Sequence, residues 1–600
     1  MNLLSLILLG TAVSMIVQSS SADGPSHLDN APTPPLGWNS WDIFGTTLTE
    51  EQARAQADAM AENLLPAGYK YFTVDIQWYE PNSESHVYKD GAPLEMDEYS
   101  RLMPAVKKYP SAADGAGFKP LAGYVHSKGL QFGIHIMRGI PKQAVRENTA
   151  ILGVDVRAAD IANTNSFCPW NPDMYGVDMS KPGAQEYYNS LFDLYASWGV
   201  DYVKVDDIAR PYDANQLAEI EAIRKAIDQT GRPIVLSLSP GDTPIERGEH
   251  VMNHANLWRI SDDFWDRWPP LYGMFGRLEK WTQYRMRGAW PDADMLPFGV
   301  VEFGRPTNFT RDEQILCMSL WCIARSPLIF GGDMTRLDEF TVDLLTNPEV
   351  LAVNQASENG RQLYRKDDLI VWTADVPDSP DKYVALFNAQ DNSDQIDLAK
   401  ADYCSHFVHG EPKQDIVEIK VPIKGARRLV LAVGDGGDGI FCDHAAWIEP
   451  MLTGPQGSLK LTDLEWVMAT AGWRRVRKNR TIDNRPLTLD GKEVDGIGTH
   501  SVSIIEYDIP EGYDTFTARG ILTEGSDGKG GLDFRVLVDP ERTEYPERNQ
   551  VAVAFKELGI SGEVKVRDLW ARKDLDMFSE SFAQELPQHG AGLYRILPAQ

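Results

Sequence analysis

Cysteine is scarce in this chain. Five residues in 600 (Cys168, Cys317, Cys322, Cys404 and Cys442) exclude a disulfide scaffold, so the folds must be held by buried apolar surface. There is no CxxC pair and no cluster of histidines, which argues against a zinc site of the usual spacing, and no metal is expected in the catalytic site. Cys317 and Cys322 share the run Ile315-Leu316-Cys317-Met318-Ser319-Leu320-Trp321-Cys322-Ile323. Five-residue spacing on a helix turns them to different faces, which predicts two buried thiols. Positive charge is also short: 58 Lys and Arg against 87 Asp and Glu leave a net charge of −29. A nucleic acid or an anionic membrane needs clustered cations, so neither is an expected partner. Long apolar runs are missing except at the start, where Asn2 to Leu9 and on to Ile16-Val17 precede the small residues Ser19-Ser20-Ser21-Ala22. That pattern predicts a secretory signal peptide over residues 1–22 and a secreted or periplasmic protein, with a retained anchor as the alternative because no Lys or Arg precedes the run. No other stretch approaches the ~18 apolar residues of a membrane helix.

What the chain does have is size, aromatics and alternation. With 600 residues at 43% apolar content, two or three domains are expected rather than one enlarged core. The 16 tryptophans supply flat faces suited to sugar rings, although most belong to cores. From residue 33 to 355, short apolar runs alternate with amphipathic stretches, as in repeated β-α units. Strands are expected at Leu36 to Trp41, Tyr71 to Ile76, Phe132 to Met137, Tyr202 to Asp206, Ile234 to Leu238, Leu257 to Ile260, a short run ending near Asp294, and Leu328 to Phe330. Helices such as Thr49 to Leu64, Glu186 to Trp198 and Ala214 to Gln229 fall between them. Eight such units make a (β/α)8 TIM barrel. After Asn354 the texture changes to short alternating strands, for example Leu369 to Trp372 and Tyr383 to Phe387, which predicts an antiparallel β-sandwich.

The chemistry concentrates at strand ends. Val203-Lys204-Val205-Asp206-Asp207 is a β-branched run ending in carboxylates, which places acidic groups at the carboxyl end of a barrel strand, where barrel active sites lie. Lys204 points to the same side as Asp206 and favours its ionised form. The alternative is a structural ion pair. A second carboxyl comes from Leu257-Trp258-Arg259-Ile260-Ser261-Asp262-Asp263-Phe264-Trp265, where aromatic neighbours would desolvate an acid and raise its pKa. Chemistry alone leaves Asp262 and Asp263 equivalent. Two carboxyl groups across a pocket are what hydrolysis of a glycoside requires.

These motifs resemble glycoside hydrolase family 27, the α-galactosidase and α-N-acetylgalactosaminidase family of retaining barrel enzymes with a C-terminal β-sandwich. Pro34-Pro35-Leu36-Gly37-Trp38-Asn39-Ser40-Trp41 is similar to the family's first-strand signature, implying Trp41 beneath the sugar. Lys204-Val205-Asp206 resembles its Lys-aromatic-Asp motif, implying Lys204 as a hydroxyl ligand and Asp206 as nucleophile. Trp258, Arg259 and Asp263 fall on its Trp-Arg-x-x-x-Asp motif, which makes Asp263 the acid/base. Trp290 to Leu296 resembles the seventh strand, implying Asp294 as a sugar contact, and Ser326-Pro327-Leu328 with Gly332-Asp333 the eighth.

The departures bear on the sugar. The family has paired Asp after the second strand to hold the 4- and 6-hydroxyls, whereas this chain reads Val74-Asp75-Ile76-Gln77-Trp78, leaving Asp75 and an isoleucine that accepts no hydrogen bond. After the third strand a Tyr-containing segment is replaced by Gly133-Ile134-His135-Ile136-Met137-Arg138, which puts His135, and with it Arg138, near the pocket. The loop that discriminates at the 2-position is replaced by Ser237-Leu238-Ser239-Pro240-Gly241. Cys168 sits where the family has half of a disulfide, but Ile208 takes the partner's place, so no bond is expected and Cys168-Pro169-Trp170 lines the site instead.

Residues 427 to 500, with Arg427 to Val433, Asp443-His444-Ala445-Ala446-Trp447, Leu461 to Trp466 and Gly496 to His500, resemble an NPCBM-type carbohydrate-binding module. The ending, Val566 to Lys573 and His589 to Leu593, resembles the family's sandwich again. The module is therefore expected to interrupt the sandwich, giving a signal segment (1–22), a barrel (33–355), a discontinuous sandwich (356–394 and 546–600) and an inserted second β-sandwich module (395–545). Asp435, Asp438 and Asp443 offer oxygen ligands for a structural calcium, while turn-forming Asp and Gly give the same composition. His500 and Trp447 are candidates for sugar binding or for the core. No cofactor is required by this reading. The expected function is a retaining exo-α-glycosidase acting on terminal α-galactosides of an oligosaccharide or polysaccharide. The alternatives are the same chemistry on α-GalNAc, β-L-arabinopyranose or an isomaltose-type glucan, or a catalytically silent carbohydrate-binding protein.

Overall fold

The computed structural model describes residues 26–392, 396–409, 415–437, 440, 442–526, 530–541 and 545–599. The signal segment expected at 1–22 lies outside them. The chain forms two compact units, one comprising the N-terminal part through Ala389 together with Arg548 onward, the other Gln390–Glu547.

The first unit is built on eight parallel strands: β1 (Leu36–Asn39), β2 (Tyr71–Val74), β3 (Gln131–Met137), β4 (Tyr202–Asp206), β5 (Val235–Leu238), β6 (Leu257–Arg259), β7 (Trp290–Asp292) and β8 (Leu328–Phe330). Their order is β7-β6-β5-β4-β3-β2-β1-β8. The ends of that sheet meet at a parallel bridge between Leu296 and Phe330, with Leu296 N–H donating to Ile329 O at 2.7 Å, so the barrel closes just past β7. The helices between strands begin and end where the sequence supplies caps. α1 (Glu50–Asn63) starts from a Thr49–Gln52 capping box, and α2 (Ala214–Thr230) from Asp213, whose carboxylate accepts from the N–H groups of Asn215 and Gln216; it stops at Gly231 in the left-handed region.

The two barrel ends differ. At the amino end, Ala31, Tyr71, Tyr202, Val235, Leu257 and Trp290 form an apolar plug, with Trp290 Nε1–H donating to Ala31 O at 2.8 Å. At the carboxyl end the loops are long and polar. The excursion after β3 carries a three-stranded antiparallel sheet (Ile140–Pro141, Ala162–Phe167, Met174–Val177) over the mouth.

A sandwich follows on the same unit. Its larger sheet runs Glu358–Lys366, Leu369–Asp375, Lys382–Asn388, Gly590–Pro598, Glu563–Asp568, Lys573–Ser579, and a strand pair of Arg548–Ala554 with Ser581–Pro587 accompanies it. Lys382–Asn388 pairs with Gly590–Pro598, Val384 opposite Tyr594; the chain leaves for the second unit after Lys382–Asn388 and returns at Arg548–Ala554, which pairs with Ser581–Pro587. Asn347 and the Glu349–Arg567 ion pair (2.6 Å) fasten the sandwich to the barrel's last helix.

The second unit is two antiparallel sheets around a core of Trp447, Phe516, Phe534 and aliphatic side chains. Trp447 is fully buried among them, which assigns it to the core and removes it from the sugar-binding candidates. Asp443 is buried, accepting from Ser501 Oγ and Gly531 N, and Asp435 accepts from Gly437 N in a turn. Asp438, the third oxygen donor considered for calcium, lies outside the described residues.

Candidate active site

The carboxyl ends of β1 to β7 bring Asn39, Asp75, His135, Lys204, Asp206, Arg259 and Asp294 together. Asp75 is the hub. One of its oxygens receives Nδ1 of His135 at 2.5 Å; the other receives Asn39 Nδ2 at 2.8 Å and Lys204 Nζ at 3.3 Å. Its backbone N–H donates to Ser40 Oγ at 2.9 Å. Burial would raise the Asp75 pKa, but the charges of His135 and Lys204 and the hydrogen bonds from His135 and Asn39 hold it far below the usual carboxylate range.

Asp206 ends β4 beside this hub. Its Oδ2 is 3.2 Å from His135 Nε2, a close ionic contact poorly aligned for a hydrogen bond, and its Oδ1 accepts the Asp207 N–H at 2.7 Å. Burial works against its charge, yet His135, Lys204 and that N–H together bring its pKa below the ordinary value. The His135 pKa is raised: burial opposes the imidazolium, and the Asp75 charge with contacts to both carboxylates overcomes it. His135 is thus placed between two carboxylates with its ring enclosed, rather than pointing into open pocket.

Arg259 organises the opposite wall. It lies 2.8 Å from Asp294 Oδ2 and 3.3 Å from Asp263 Oδ1. Burial disfavours its charge less than Asp294 and Asp263 favour it, so it stays a cation throughout. Asp294 is buried, takes the Phe264 N–H at 2.7 Å, and has a raised pKa from burial and the Asp263 charge, partly offset by Arg259. The two adjacent carboxyls at the end of β6, equivalent by local chemistry, are separated here: Asp263 turns to Arg259, Asp262 to Arg210 at 2.5 Å on the rim. The expected desolvation of Asp263 by aromatics is not met. Its side chain is 60% exposed, because Phe264 turns into the core and leaves the carboxyl on the open side.

Trp41 is half-buried at the mouth, with Tyr88 stacked at 6.3 Å and His86 edge-on at 5.1 Å. Trp170 stands at the rim under the Arg210 guanidinium, 5.9 Å from its ring centre. Cys168 is a buried free thiol, and no disulfide joins any of the five cysteines. Ile76 is buried beside Asp75. Arg138 departs from expectation. It is fully engaged behind the mouth, 2.9 Å from both Asp207 and Glu219 of α2, and does not reach the pocket.

Several neighbours escaped the sequence reading. Asn39 lies inside a recognised motif, but its bond to Asp75 has no local signal. Tyr88 and His86 come from an irregular loop. Asp42 follows Trp41 directly. It is buried with Oδ2 accepting no hydrogen bond among the described residues, and burial plus the Asp294 charge raise its pKa well above normal. Asp292, next to Asp294, is pushed up to about 6 by burial and that neighbour. Away from the mouth, Glu221, His250 and His254 do cluster, with ligand atoms within 4.8 Å of one another. This corrects the expectation of no grouped histidines; here His250 bonds Tyr212 Oη through Nδ1 and Glu221 through Nε2, and His254 Nδ1–H donates to His250 O.

Comparison with known proteins places these features in context. Residues 173–356 match a family model described as alpha galactosidase A, 400–453 and 457–551 the NPCBM/NEW2 domain, and 536–596 the alpha galactosidase C-terminal beta sandwich domain. An alpha-galactosidase of Coffea arabica is 32% identical over 57% of this chain and 75% of its own length. Alpha-galactosidase A of Cellvibrio japonicus is 30% identical over 58% and 74%. Among solved structures, a family 27 β-L-arabinopyranosidase from Geobacillus stearothermophilus is 39% identical, with a TM-score of 0.68, covering 96% of this chain and 98% of that one.

Proposed function

Because this chain belongs to glycoside hydrolase family 27, we propose that it is a retaining exo-glycosidase that removes terminal β-L-arabinopyranosyl groups. The observation that carries this reading is Ile76, buried beside Asp75. β-L-Arabinopyranose has the ring stereochemistry of α-D-galactopyranose, anomeric carbon included, without the hydroxymethyl group. An isoleucine where the family keeps a second carboxylate offers apolar surface where a 6-hydroxyl would need an acceptor. A buried hydroxyl facing it would lose about 1 to 3 kcal/mol of hydrogen bonding. The 39% identical arabinopyranosidase supports the same sugar; the α-galactosidases at about 30% support the stereochemistry.

In the mechanism we propose, the sugar ring lies on Trp41, and Asp75 and Lys204 hold its hydroxyls. Asp206 attacks the anomeric carbon as Asp263 gives its proton to the departing oxygen, leaving a glycosyl ester on Asp206. Asp263, now a base, takes a proton from water, which attacks the same carbon, releases the sugar with its configuration retained and restores the Asp206 carboxylate. The low pKa of Asp206 suits a nucleophile. The open position of Asp263 suits a group that must meet both an aglycone and a water. An ionised nucleophile facing Arg259 favours an active enzyme over a silent binding protein. The N-terminal apolar segment supports export.

The test is a panel of aryl glycosides. We expect kcat/KM for the β-L-arabinopyranoside to exceed that for the α-D-galactopyranoside, with α-GalNAc and α-glucosides slower still. A preference for the galactoside would overturn the sugar and leave the reaction type in place.

A further inference from the structure

The chain is strongly acidic, yet residues 473–485 read Trp473-Arg474-Arg475-Val476-Arg477-Lys478-Asn479-Arg480-Thr481-Ile482-Asp483-Asn484-Arg485, six cations to one carboxylate. In the second unit this segment forms an edge. Arg477–Lys478 pairs with Gly496–His500 at the margin of one sheet, and the chain then turns back through Thr481, whose N–H donates to Arg485 O at 2.8 Å. Arg475, Arg480 and Arg485 are exposed. Asp483 is occupied twice, by His444 Nδ1 at 3.0 Å and Arg474 at 3.3 Å, and Glu465 takes Lys478 at 3.1 Å. Arg477 and Arg480 donate to carbonyls of the same turn, Ile482 O at 3.4 Å and Asn484 O at 3.1 Å, which leaves their charges uncompensated by those bonds. Burial, then the charges of Arg475, Arg474 and Arg480, depress the Arg477 pKa.

An edge strand needs a charge or two to discourage pairing with another chain. Repelling guanidiniums on one short turn destabilise the fold and demand another reason. Beside them lies an aromatic group: Trp473, half-buried, packs at 5.1 Å from His444 and 5.7 Å from His500, with the Arg474 guanidinium 4.2 Å over its ring. A flat ring framed by forked cations fits a sugar that carries a carboxylate, since arginine pairs with carboxylates through two parallel hydrogen bonds.

We propose that the Trp473–Arg485 edge is a binding surface for acidic polysaccharide, in which uronate carboxylates pair with Arg475, Arg480 and their neighbours while a sugar ring rests against Trp473. The module would then hold the enzyme on a charged polymer independently of which sugar the barrel cleaves.

Native affinity electrophoresis of the full chain tests this, with polygalacturonate, its fully methyl-esterified form, or single-stranded DNA in the gel. We expect retardation by polygalacturonate at low salt that high salt abolishes and esterification removes. The double variant Arg475→Glu/Arg480→Glu should weaken it about tenfold or more, with the aryl-glycosidase rate unchanged and the thermal midpoint no lower than the parent's. Trp473→Phe should keep more of the binding than Trp473→Ala. The proposal is overturned if the double variant is retarded as strongly as the parent, if the esterified polymer binds equally well, or if DNA retards the chain as much as polygalacturonate does.

Discussion

Nε2 of His135 stands 3.2 Å from Oδ2 of Asp206, while Nδ1 of the same ring is bonded to Asp75 Oδ1 at 2.5 Å. One ring thus helps to lower the pKa of two carboxylates with different tasks in the proposed mechanism: Asp75 holds substrate and Asp206 attacks it.

The nucleophile must be ionised, so activity falls as pH drops through the Asp206 pKa, which His135 keeps low. His135→Phe removes the cation and leaves the burial that opposes ionisation. The acidic limb of kcat/KM should move to higher pH by about one unit or more, with His135→Gln in between; an unmoved limb would show that His135 merely packs. Linkage gives a second reading. The folded pKa of His135 is raised, so its contribution to stability is complete below the unfolded value near 6.5 and is lost as pH rises through the folded value. The thermal midpoint should decline on the alkaline side, and less so in His135→Phe.

Asp206 and Asp263 are distinguished by what azide does for their alanine variants. Both lose most activity, on the order of a thousandfold or more. In Asp206→Ala azide replaces the nucleophile directly and yields a glycosyl azide of inverted configuration. In Asp263→Ala the glycosyl ester still forms from aryl glycosides with good leaving groups, and azide then yields the retained configuration. Proton NMR of the two products reads the roles, and identical anomers from both variants would sink the assignment.

If Ile76 excludes a hydroxymethyl group, Ile76→Asp should raise the ratio of kcat/KM for α-galactoside over β-L-arabinopyranoside by about ten- to a hundredfold. A second carboxylate buried beside Asp75 should also lower stability by about 1 to 3 kcal/mol, measured by denaturant titration. A ratio that stays constant would mean that another residue reads C6.

The sequence made the barrel legible because each strand is a short apolar run with chemistry at its carboxyl end. Lys204 and Asp206 could be seen for that reason, whereas Arg259, Asp294 and Asp75 with its altered neighbour Ile76 were placed by the resemblance to the family's motifs. What stayed hidden depends on distant partners or on the direction of a turn. Arg138 looks like a pocket residue until Glu219, a helix away, is found to take it. The aromatics beside Asp263 suggested a buried acid, but backbone direction sends Phe264 inward and the carboxyl outward. Trp447 and Trp473 are equal as letters; one fills a core and the other meets a turn of arginines.

Asn347 carries the last prediction, at the seam between barrel and sandwich. Its Oδ1 accepts from the N–H groups of Glu349 and Val350, capping the helix Pro348–Ala356, while Nδ2 donates to Leu569 O at 2.9 Å across the seam. The side chain is fully buried, so no water replaces either partner. Asn347→Ala removes a cap worth about 1 kcal/mol and leaves a buried carbonyl without a donor at about 1 to 3 kcal/mol, a total of roughly 2 to 4. Asn347→Asp keeps the cap but loses the donor and places a carboxylate against that carbonyl, so it should be at least as unstable near neutral pH and recover in part in acid, where the protonated group can donate again. Activity-monitored denaturation against pH separates the two contributions. If Asn347→Asp matches the parent at neutral pH, the bond to Leu569 contributes nothing and the sandwich is held by the Glu349–Arg567 pair and apolar packing.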